Sequence, residues 1–360
     1  LNRNLLNCVT LTSGITSGNI KEVLGDCVFN CSFFFELILY LLQRDFKAIH
    51  IDEEGRGVVV EENCKLHLYI NKKMTDEEGI GFIGAGNMAK AIGLRLINEG
   101  VLKASEVIVS APTQRNLCLW AEKGVRTTNY NFEVVEKSRI IFIAVKPQYF
   151  EETIKSLYVV NSGIMRSIWT LKIFVSVMAG KTIHYISETI KNLANNIQQF
   201  KVIRIMPNTP CLVGSGCSVI CYDSDIPEVY LDQVKTMMSH TGTCDDIPEH
   251  MFDSVAALCG GGPAYVYMVI ESLADGAVRC GVPRDLALKL ASQTIIGAGK
   301  MVLETGKHPG QLKDEVCSPG GTTITAVHEL EKSGIRCAFM NAIVAATKRS
   351  IELSQAQPKK

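Results

Sequence analysis

The stretch Glu77–Met88 constrains the fold of this chain more than any other. It contains an apolar run, Ile80–Ile83, that is typical of a buried strand, and continues through a Gly-Ala-Gly turn into a helical pattern. A strand, a Gly-x-Gly turn and a helix in this order open a dinucleotide-binding unit. Gly84 would let the chain turn tightly, and Gly86 would let a pyrophosphate approach the backbone. A glycine turn in an ordinary α/β protein is the plainer alternative.

The next predicted strand indicates which dinucleotide would bind. It ends in Ser110, and Thr113 and Arg115 follow without any acidic residue. A fold that prefers NAD places Asp or Glu at this tip to hold the ribose hydroxyls. Hydroxyls and an arginine suit the 2′-phosphate of NADPH instead. The sequence therefore predicts NADPH, with NADH possible, although Arg115 could also be a solvated residue at a helix start.

Three later strands are predicted to end in residues that a ligand could contact. Ile140–Val145 runs into Lys146-Pro147, Phe174–Gly180 has a tip of small residues, and Val202–Met206 runs into Pro207-Asn208-Thr209-Pro210. The carboxyl ends of parallel strands meet at one edge of a doubly wound sheet, where such folds bind ligands. We therefore expect these three tips to line one crevice.

Composition excludes several classes of protein. The chain has 360 residues, of which 47% are hydrophobic, enough for two domains. Lys+Arg and Asp+Glu both number 37, so a zero net charge argues against nucleic acid or an anionic membrane as the main partner. The 13 cysteines show no zinc or redox spacing. We predict free thiols in a reducing compartment, the cytoplasm, and no metal site.

Residues 1–73 differ in character from the remainder. The apolar run Cys27–Leu42 is interrupted by polar residues and is shorter than the roughly 20 residues of a membrane span. The segment lacks the basic start and cleavage site of a signal peptide, and its acids, as at Asp52–Glu54, argue against a transit peptide. Met74 stands just before the first predicted Rossmann strand. We expect 1–73 to be translated non-coding sequence or an accessory extension outside the working fold.

From Phe252 onward the pattern is helical only. Helices are predicted over Ala264–Cys280 and Arg284–Glu304, and both carry wide apolar faces. Helices apolar over so much of their circumference are buried. We predict that a second subunit covers them, and an intrachain bundle is the alternative.

A second anion site is predicted at Ser318–Thr323. Ser318-Pro319 is predicted to cap a helix, which leaves the amides of Gly320-Gly321 open to a carboxylate. The hydroxyls of Thr322-Thr323 add donors and acceptors. Plain helix capping is the alternative, and it accounts less well for a Gly-Gly-Thr-Thr run.

Six motifs in this order resemble the pyrroline-5-carboxylate reductase family. They are GFIGAGNMA, AVKP, MPNTP, GGGPAY, HPGQLKDEV and CSPGGTTI, beginning at Gly81, Ala144, Met206, Gly260, His308 and Cys317. The resemblance covers about Met74–Leu353 and is greatest to the cytosolic type 3 form of animals. It implies an α/β fold with an N-terminal Rossmann domain (74–247), a C-terminal all-helical dimerisation domain (248–354) and a tail (355–360). It also implies homodimers that assemble into decamers, and reduction of 1-pyrroline-5-carboxylate to L-proline by NAD(P)H, the last step of proline biosynthesis.

The resemblance and the motifs together give the predicted site residues. The cofactor is predicted to contact Gly84, Ala85, Gly86, Asn87, Met88, Ser110, Thr113, Arg115, Asn131, Val145, Lys146, Pro147, Ala179, Asn208 and Glu315. The substrate is predicted to contact Glu249, Gly320, Gly321, Thr322 and Thr323, and the catalytic residues are Thr323 and Ser318. Four positions depart from the family pattern and leave local contacts and cofactor preference open: Ala111, Cys259, Gly261 and Glu315.

The resemblance also implies a mechanism. Backbone amides of Gly320–Thr323 would hold the substrate carboxylate, and the Thr323 hydroxyl would hydrogen-bond the ring nitrogen while hydride reaches the imine carbon. Glu249 could stabilise the iminium cation, or it could be an exposed loop acid. A β-hydroxyacid dehydrogenase would need a lysine early in the helix Ala264–Cys280, which has none. An NADP-binding sensor that has lost catalysis is the non-enzymatic alternative.

Overall fold

The computed structural model describes residues 79–158, 160–161, 164–165, 168 and 170–355, with two short segments at 50–51 and 58–59. The chain divides into two compact units, Leu1–Lys73 and Met74–Lys360. In the first unit, β1 (His50–Ile51) and β2 (Val58–Val59) pair antiparallel. The apolar run at 27–42 lies outside the described residues. That 1–73 has no part in the working fold stays a prediction.

An eight-stranded sheet forms the centre of the second unit. The strands of this unit are β3 (Gly79–Ile83), β4 (Val107–Ser110), β5 (Arg126–Thr128), β6 (Ser138–Ile143), β7 (Val160–Asn161), β8 (Ile164–Met165), β9 (Lys172–Ser176), β10 (Phe200–Met206), β11 (Gly216–Tyr222) and β12 (Gly242–Asp246). Strands β7 and β8 pair antiparallel with each other, and the other eight form the sheet. The order across the sheet is β5-β4-β3-β6-β9-β10-β11-β12. All neighbours are parallel except β10 and β11. The order in which strands are added reverses between β3 and β6, because β4 and β5 lie on one side of β3 and β6 lies on the other. Open α/β sheets bind ligands at such a reversal, at the carboxyl ends of the two strands.

Helices cover both faces of this sheet, as the predicted α/β fold requires. They are α1 (Asn87–Asn98), α2 (Gln114–Glu122), α3 (Asn131–Lys137), α4 (Phe150–Lys155), α5 (Ile183–Leu193) and α6 (Glu228–Ser239). The central strands are buried and apolar, and Phe82 of β3 stacks on Phe142 of β6 with ring centroids 4.8 Å apart. Trp120 of α2 is fully buried against Phe82. A Cβ at Gly93 of α1 would lie 2.5 Å from the Trp120 ring, so this glycine allows the indole to pack there.

From Phe252 to Gln355 the described residues form helices joined by short loops, as predicted. Phe252–Val255 forms α7, a π-helical turn follows at Ala256–Gly260, and the chain continues through α8 (Gly262–Arg279), α9 (Arg284–Thr305), α10 (Pro309–Val316), α11 (Thr322–Lys332) and α12 (Ile335–Gln355). The end of α12 returns to α7, where Ser350 Oγ donates a 2.6 Å hydrogen bond to Asp253 Oδ1. The α/β fold with a Rossmann-like sheet and a C-terminal helical region is confirmed.

Helices α8 and α9 pack on each other and leave large apolar side chains in solvent. The buried residues that they share are three alanines, Ala274, Ala287 and Ala291, with half-buried Ile270 and Val278 packed against them. An ion pair of 2.6 Å joins Arg284 to Asp275. Exposed apolar side chains on the two helices include Tyr267, Met268, Leu290 and Leu303. No other described residue covers these wide apolar faces, so a bundle formed within the described part of the chain does not account for them.

Candidate active site

The glycine turn after β3 has the backbone conformation that the sequence predicts. Gly84 has φ +102°, and a Cβ there would lie 2.6 Å from the Ala144 carbonyl oxygen, so only glycine fits. Gly86 is the N-cap of α1, and a Cβ there would meet nothing within 4 Å. The space in front of α1 is therefore open, and the first turn of α1 has neither a side-chain cap nor an acid. Its free amides and positive dipole end suit a phosphate.

Around this turn, the predicted contact residues differ in accessibility. Ala85 is buried against the core, whereas Asn87 is exposed and Met88 half-buried. Strand β6 ends at Ile143, two residues before the predicted end at Val145, and the backbone N–H of Ala144 still donates to the Ile83 carbonyl oxygen of β3. Val145, Lys146 and Pro147 follow beside the turn, and Val145 Cγ1 lies 3.1 Å from the Cβ position of Gly84. The structure thus brings the tips of β3 and β6 together.

The tip of β4 is a hydrogen-bonded cluster next to an open helix end. Ser110 is fully buried, and its Oγ donates to Asn131 Oδ1 at 2.6 Å. Asn131 Nδ2 donates in turn to Ser156 Oγ at 2.8 Å. Thr113 is the N-cap of α2 without a side-chain hydrogen bond, and Arg115 lies exposed in the first turn, which has no acid. An exposed cation beside an uncapped, acid-free helix start is the arrangement that suits an anion, and a cofactor contact by Thr113 and Arg115 stays a prediction.

Asn208 has a position that the sequence did not predict. Its Nδ2 donates to the Cys259 carbonyl oxygen at 3.1 Å, and its Oδ1 accepts from the Cys217 backbone N–H at 3.0 Å. Both ends of this buried amide are therefore used to join β11 to the π-helical turn. A cofactor contact by Asn208 stays a prediction, as it does for Ala179, which lies in the loop between β9 and α5.

Glu249 is not a free loop acid. Its Oε1 accepts from Arg204 Nη1 at 2.6 Å and from the backbone N–H of Ile183, the first residue of α5, at 2.7 Å. The Arg204 side chain is 3% exposed, and its guanidinium lies 3.8 Å from the ring centroid of Phe252. Sequence reasoning missed Arg204, although a charged residue inside the apolar strand FKVIRIM was a signal that a partner must exist. A substrate contact by Glu249 stays a prediction.

The loop between α10 and α11 differs from its predicted form. Helix α11 begins at Thr322 with Gly321 as N-cap, so the prediction that Ser318 caps this helix is wrong. Gly320 has φ +68°, a left-handed conformation that a helix cannot include, and the Ser318 carbonyl accepts from Gly321 N–H at 3.0 Å to close a tight turn. A Cβ at Gly321 would collide with Ser318 Oγ.

This loop still has the features of an anion site. No side chain caps α11 and its first turn has no acid, so its amides stay available. Ser318, Gly320 and Thr322 are exposed and Thr323 is half-buried. Nearby, hydrogen bonds from Lys307 and then from Gln311 hold the pKa of Glu315 below its ordinary value. Glu315 is thus engaged within its own helix and loop, and its contact with a cofactor stays a prediction.

Fold and site together define a class of protein. A doubly wound sheet with open helix ends at its glycine turn and at its second strand tip, followed by a helical region, is the plan of an NAD(P)-dependent oxidoreductase. Residues 79–180 match the family model described as NADP oxidoreductase coenzyme F420-dependent. Residues 249–353 match the model described as pyrroline-5-carboxylate reductase dimerisation.

Similarity to individual known proteins shows which family within this class the chain belongs to. The chain is 42% identical over 280 residues to pyrroline-5-carboxylate reductase 3 of Danio rerio, covering 78% of this chain and 93% of the relative. It is 43% identical over 277 residues to pyrroline-5-carboxylate reductase of Arabidopsis thaliana, covering 77% and 95%. The crystal structure of Plasmodium falciparum pyrroline carboxylate reductase with NADP bound is similar with a TM-score of 0.67 and 30% identity, covering 78% and 99%. The chain belongs to the pyrroline-5-carboxylate reductase family.

Proposed function

We propose that this protein reduces 1-pyrroline-5-carboxylate to L-proline with NADPH, as the last step of proline biosynthesis. The observation that carries the proposal is a pair of uncapped, acid-free helix N-termini at Gly86 and Gly321. The first suits the pyrophosphate of a dinucleotide and the second the carboxylate of a small substrate. The chain has them in the sequence context of relatives that are named pyrroline-5-carboxylate reductase at about 40% identity.

Each part of the chain has a distinct task in this reaction. Backbone amides at Gly320–Thr323 hold the carboxylate, and the Thr323 hydroxyl hydrogen-bonds the ring nitrogen of the iminium. Bound NADPH supplies the hydride. Arg115 and Thr113 favour the 2′-phosphate, because both are exposed at the acid-free start of α2.

The substrate loop is too exposed to work in a single chain. Water competes with every hydrogen bond at Ser318–Thr323, and the apolar side chains of Val316 and Ile324 beside it are 66% and 38% exposed. We propose that a second copy of this chain covers the loop together with the apolar faces of α8 and α9. The match of 249–353 to a dimerisation model supports this homodimer. Assembly of dimers into decamers is part of the same proposal.

Helix α9 also has the length and hydropathy that would allow it to cross a membrane. Length and composition alone do not distinguish such a span from a subunit interface. Its place inside the dimerisation match, and its hairpin with α8, support the interface. We propose a cytoplasmic enzyme without a membrane or nucleic-acid partner, supported by the free thiols among the described residues and by the zero net charge.

An assay of NADPH oxidation by the purified full chain tests the proposed function. The substrates compared are 1-pyrroline-5-carboxylate, 2-keto acids and semialdehyde acids. We expect turnover with the cyclic imine and at least tenfold lower kcat/KM with the others, because only the imine presents a carboxylate beside a ring nitrogen. Turnover with a semialdehyde acid alone would favour a β-hydroxyacid dehydrogenase. Binding of NADPH without turnover of any substrate would favour a sensor.

A further inference from the structure

Two cysteines are neighbours where β11 meets the π-helical turn. Cys217 is the second residue of β11 and is exposed, whereas Cys259 is buried in the turn. The single side-chain amide of Asn208 bonds to the backbone of both residues, at 3.0 and 3.1 Å. The Cys259 thiol lies 4.0 Å from the Met206 carbonyl oxygen, at the end of β10. Because one amide spans the two backbones, the cysteines are held side by side although 42 positions separate them in the chain.

The two thiols have different chemical character. Burial, and next the charge of a Cys217 thiolate, raise the pKa of Cys259 to about 11. Cys259 is therefore a protonated thiol at neutral pH, and it is sensitive to the charge on its neighbour. Cys217 faces solvent, so a dissolved oxidant reaches it first. An accessible thiol beside a shielded one is the arrangement in which a first oxidation can be resolved within the protein.

We propose that Cys217 and Cys259 form a reversible disulfide when a peroxide oxidises Cys217. The Cys217 thiolate attacks one peroxide oxygen, so that a sulfenic acid forms and hydroxide leaves, taking up a proton to become water. The Cys259 sulfur then attacks the sulfenic sulfur, the S–S bond forms, and the sulfenic oxygen leaves as a second water with the proton of the thiol. In total, two thiols and one peroxide give one disulfide and two waters. A dithiol reductant reverses the reaction by exchange.

The disulfide would act on the cofactor side of the sheet through Asn208. Two bonded sulfurs are about 2.05 Å apart, so closure draws the turn at 256–260 towards the start of β11. Asn208 lies between them, at the tip of β10 that borders the predicted crevice. A shift of about 1 Å in a positioning group can lower a rate by roughly a hundredfold. We therefore expect the oxidised enzyme to have at least roughly tenfold lower kcat/KM.

Peptide mapping of the full chain tests this inference directly. The chain is treated with hydrogen peroxide, quenched, digested without reductant and analysed by mass spectrometry, and reductase activity is measured before and after. We expect a peptide pair linked through Cys217 and Cys259, a fall in activity, and recovery of both with dithiothreitol. Cys217→Ser and Cys259→Ser should each remove the linked peptides and the reversible loss. Cys118→Ser, at an exposed thiol on α2, is the matched control and should behave like the unmodified sequence.

Two results would overturn the inference. One is peroxide treatment that oxidises Cys217 without linking it to Cys259. The other is a complete link that leaves activity unchanged. The inference goes beyond the proposed function and fails separately from it: an untreated chain without reductase activity would contradict the function, whereas a missing linked peptide contradicts the disulfide.

Discussion

The ion pair between Glu249 and Arg204 gives a prediction that separates a structural role from a substrate role. Replacing Glu249 by alanine leaves a buried guanidinium without its carboxylate and removes the acceptor of the Ile183 N–H. Breaking a fully buried pair costs about 3–5 kcal/mol. The Glu249 side chain is 34% exposed, so solvent screening reduces this cost. We expect Glu249→Ala to lower the free energy of unfolding by about 2–3 kcal/mol.

The same geometry predicts the behaviour of two comparison variants. Glu249→Gln keeps an oxygen for the Ile183 N–H but loses the charge, so we expect a smaller loss of about 1–2 kcal/mol. Glu188→Ala breaks the pair with Lys191 on the same helix α5, whose side chains are 45% and 61% exposed, and should cost less than about 0.5 kcal/mol. Comparison of the alanine and glutamine variants of Glu249 therefore separates the free energy lost with the charge from that lost with the hydrogen-bond acceptor.

Thermal unfolding at fixed protein concentration, with steady-state kinetics of each variant, decides the question. For a unit of this size, about 2–3 kcal/mol corresponds to a fall in Tm of roughly 4–12 °C. KM for the substrate should change little if Glu249 acts through Arg204 and α5. An unchanged Tm together with a large rise in KM would refute this reasoning and place Glu249 in the substrate site.

Four further predictions follow from the described residues. Thr323→Ala should lower kcat/KM by one to two orders of magnitude, about 1.4–2.7 kcal/mol, with Tm unchanged, whereas Thr236→Ala, at an exposed position of α6, should leave both as they are. Arg115→Ala should raise KM for NADPH by roughly tenfold and leave KM for NADH unchanged, since only NADPH has the 2′-phosphate; equal effects on both would contradict this role. Gly84→Ala should weaken NADPH binding, measured by fluorescence titration, and lower Tm, because φ is +102° and the Ala144 carbonyl oxygen would lie only 2.6 Å from the new Cβ. Cys259 should react with iodoacetamide at pH 8 much more slowly in the folded than in the unfolded chain, because burial raises its pKa to about 11 and the thiolate forms only as the pH approaches that value.

Local backbone requirements made much of the fold predictable from the sequence. The turn at Gly84 needs a positive φ and a close carbonyl, and both requirements appear as glycine in the motif. The central strands β3 and β6 are buried on both faces, so their residues form continuous apolar runs. Helices α8 and α9 have their predicted positions within two residues. In each case the signal lies within one continuous segment of the chain.

Features that depend on distant residues were not predictable in this way. Strand β12, with the sequence GTCDD, is a largely exposed edge strand whose order comes from pairing with β11, and it has no hydrophobic pattern of its own. The Arg204–Glu249 pair joins residues 45 positions apart. Ser318-Pro319 predicted an earlier start for α11, but the helix begins only at Thr322 because Gly320 has a left-handed backbone conformation.

The transfer of isotope from cofactor to product tests the central claim most directly. NADPH deuterated on the transferred face of nicotinamide C4 is incubated with the full chain and 1-pyrroline-5-carboxylate, and the product is analysed by mass spectrometry and NMR. We predict L-proline that carries deuterium at the former imine carbon, in one-to-one ratio with the NADPH consumed. Oxidation of NADPH without labelled proline would contradict the assignment of this chain as a pyrroline-5-carboxylate reductase.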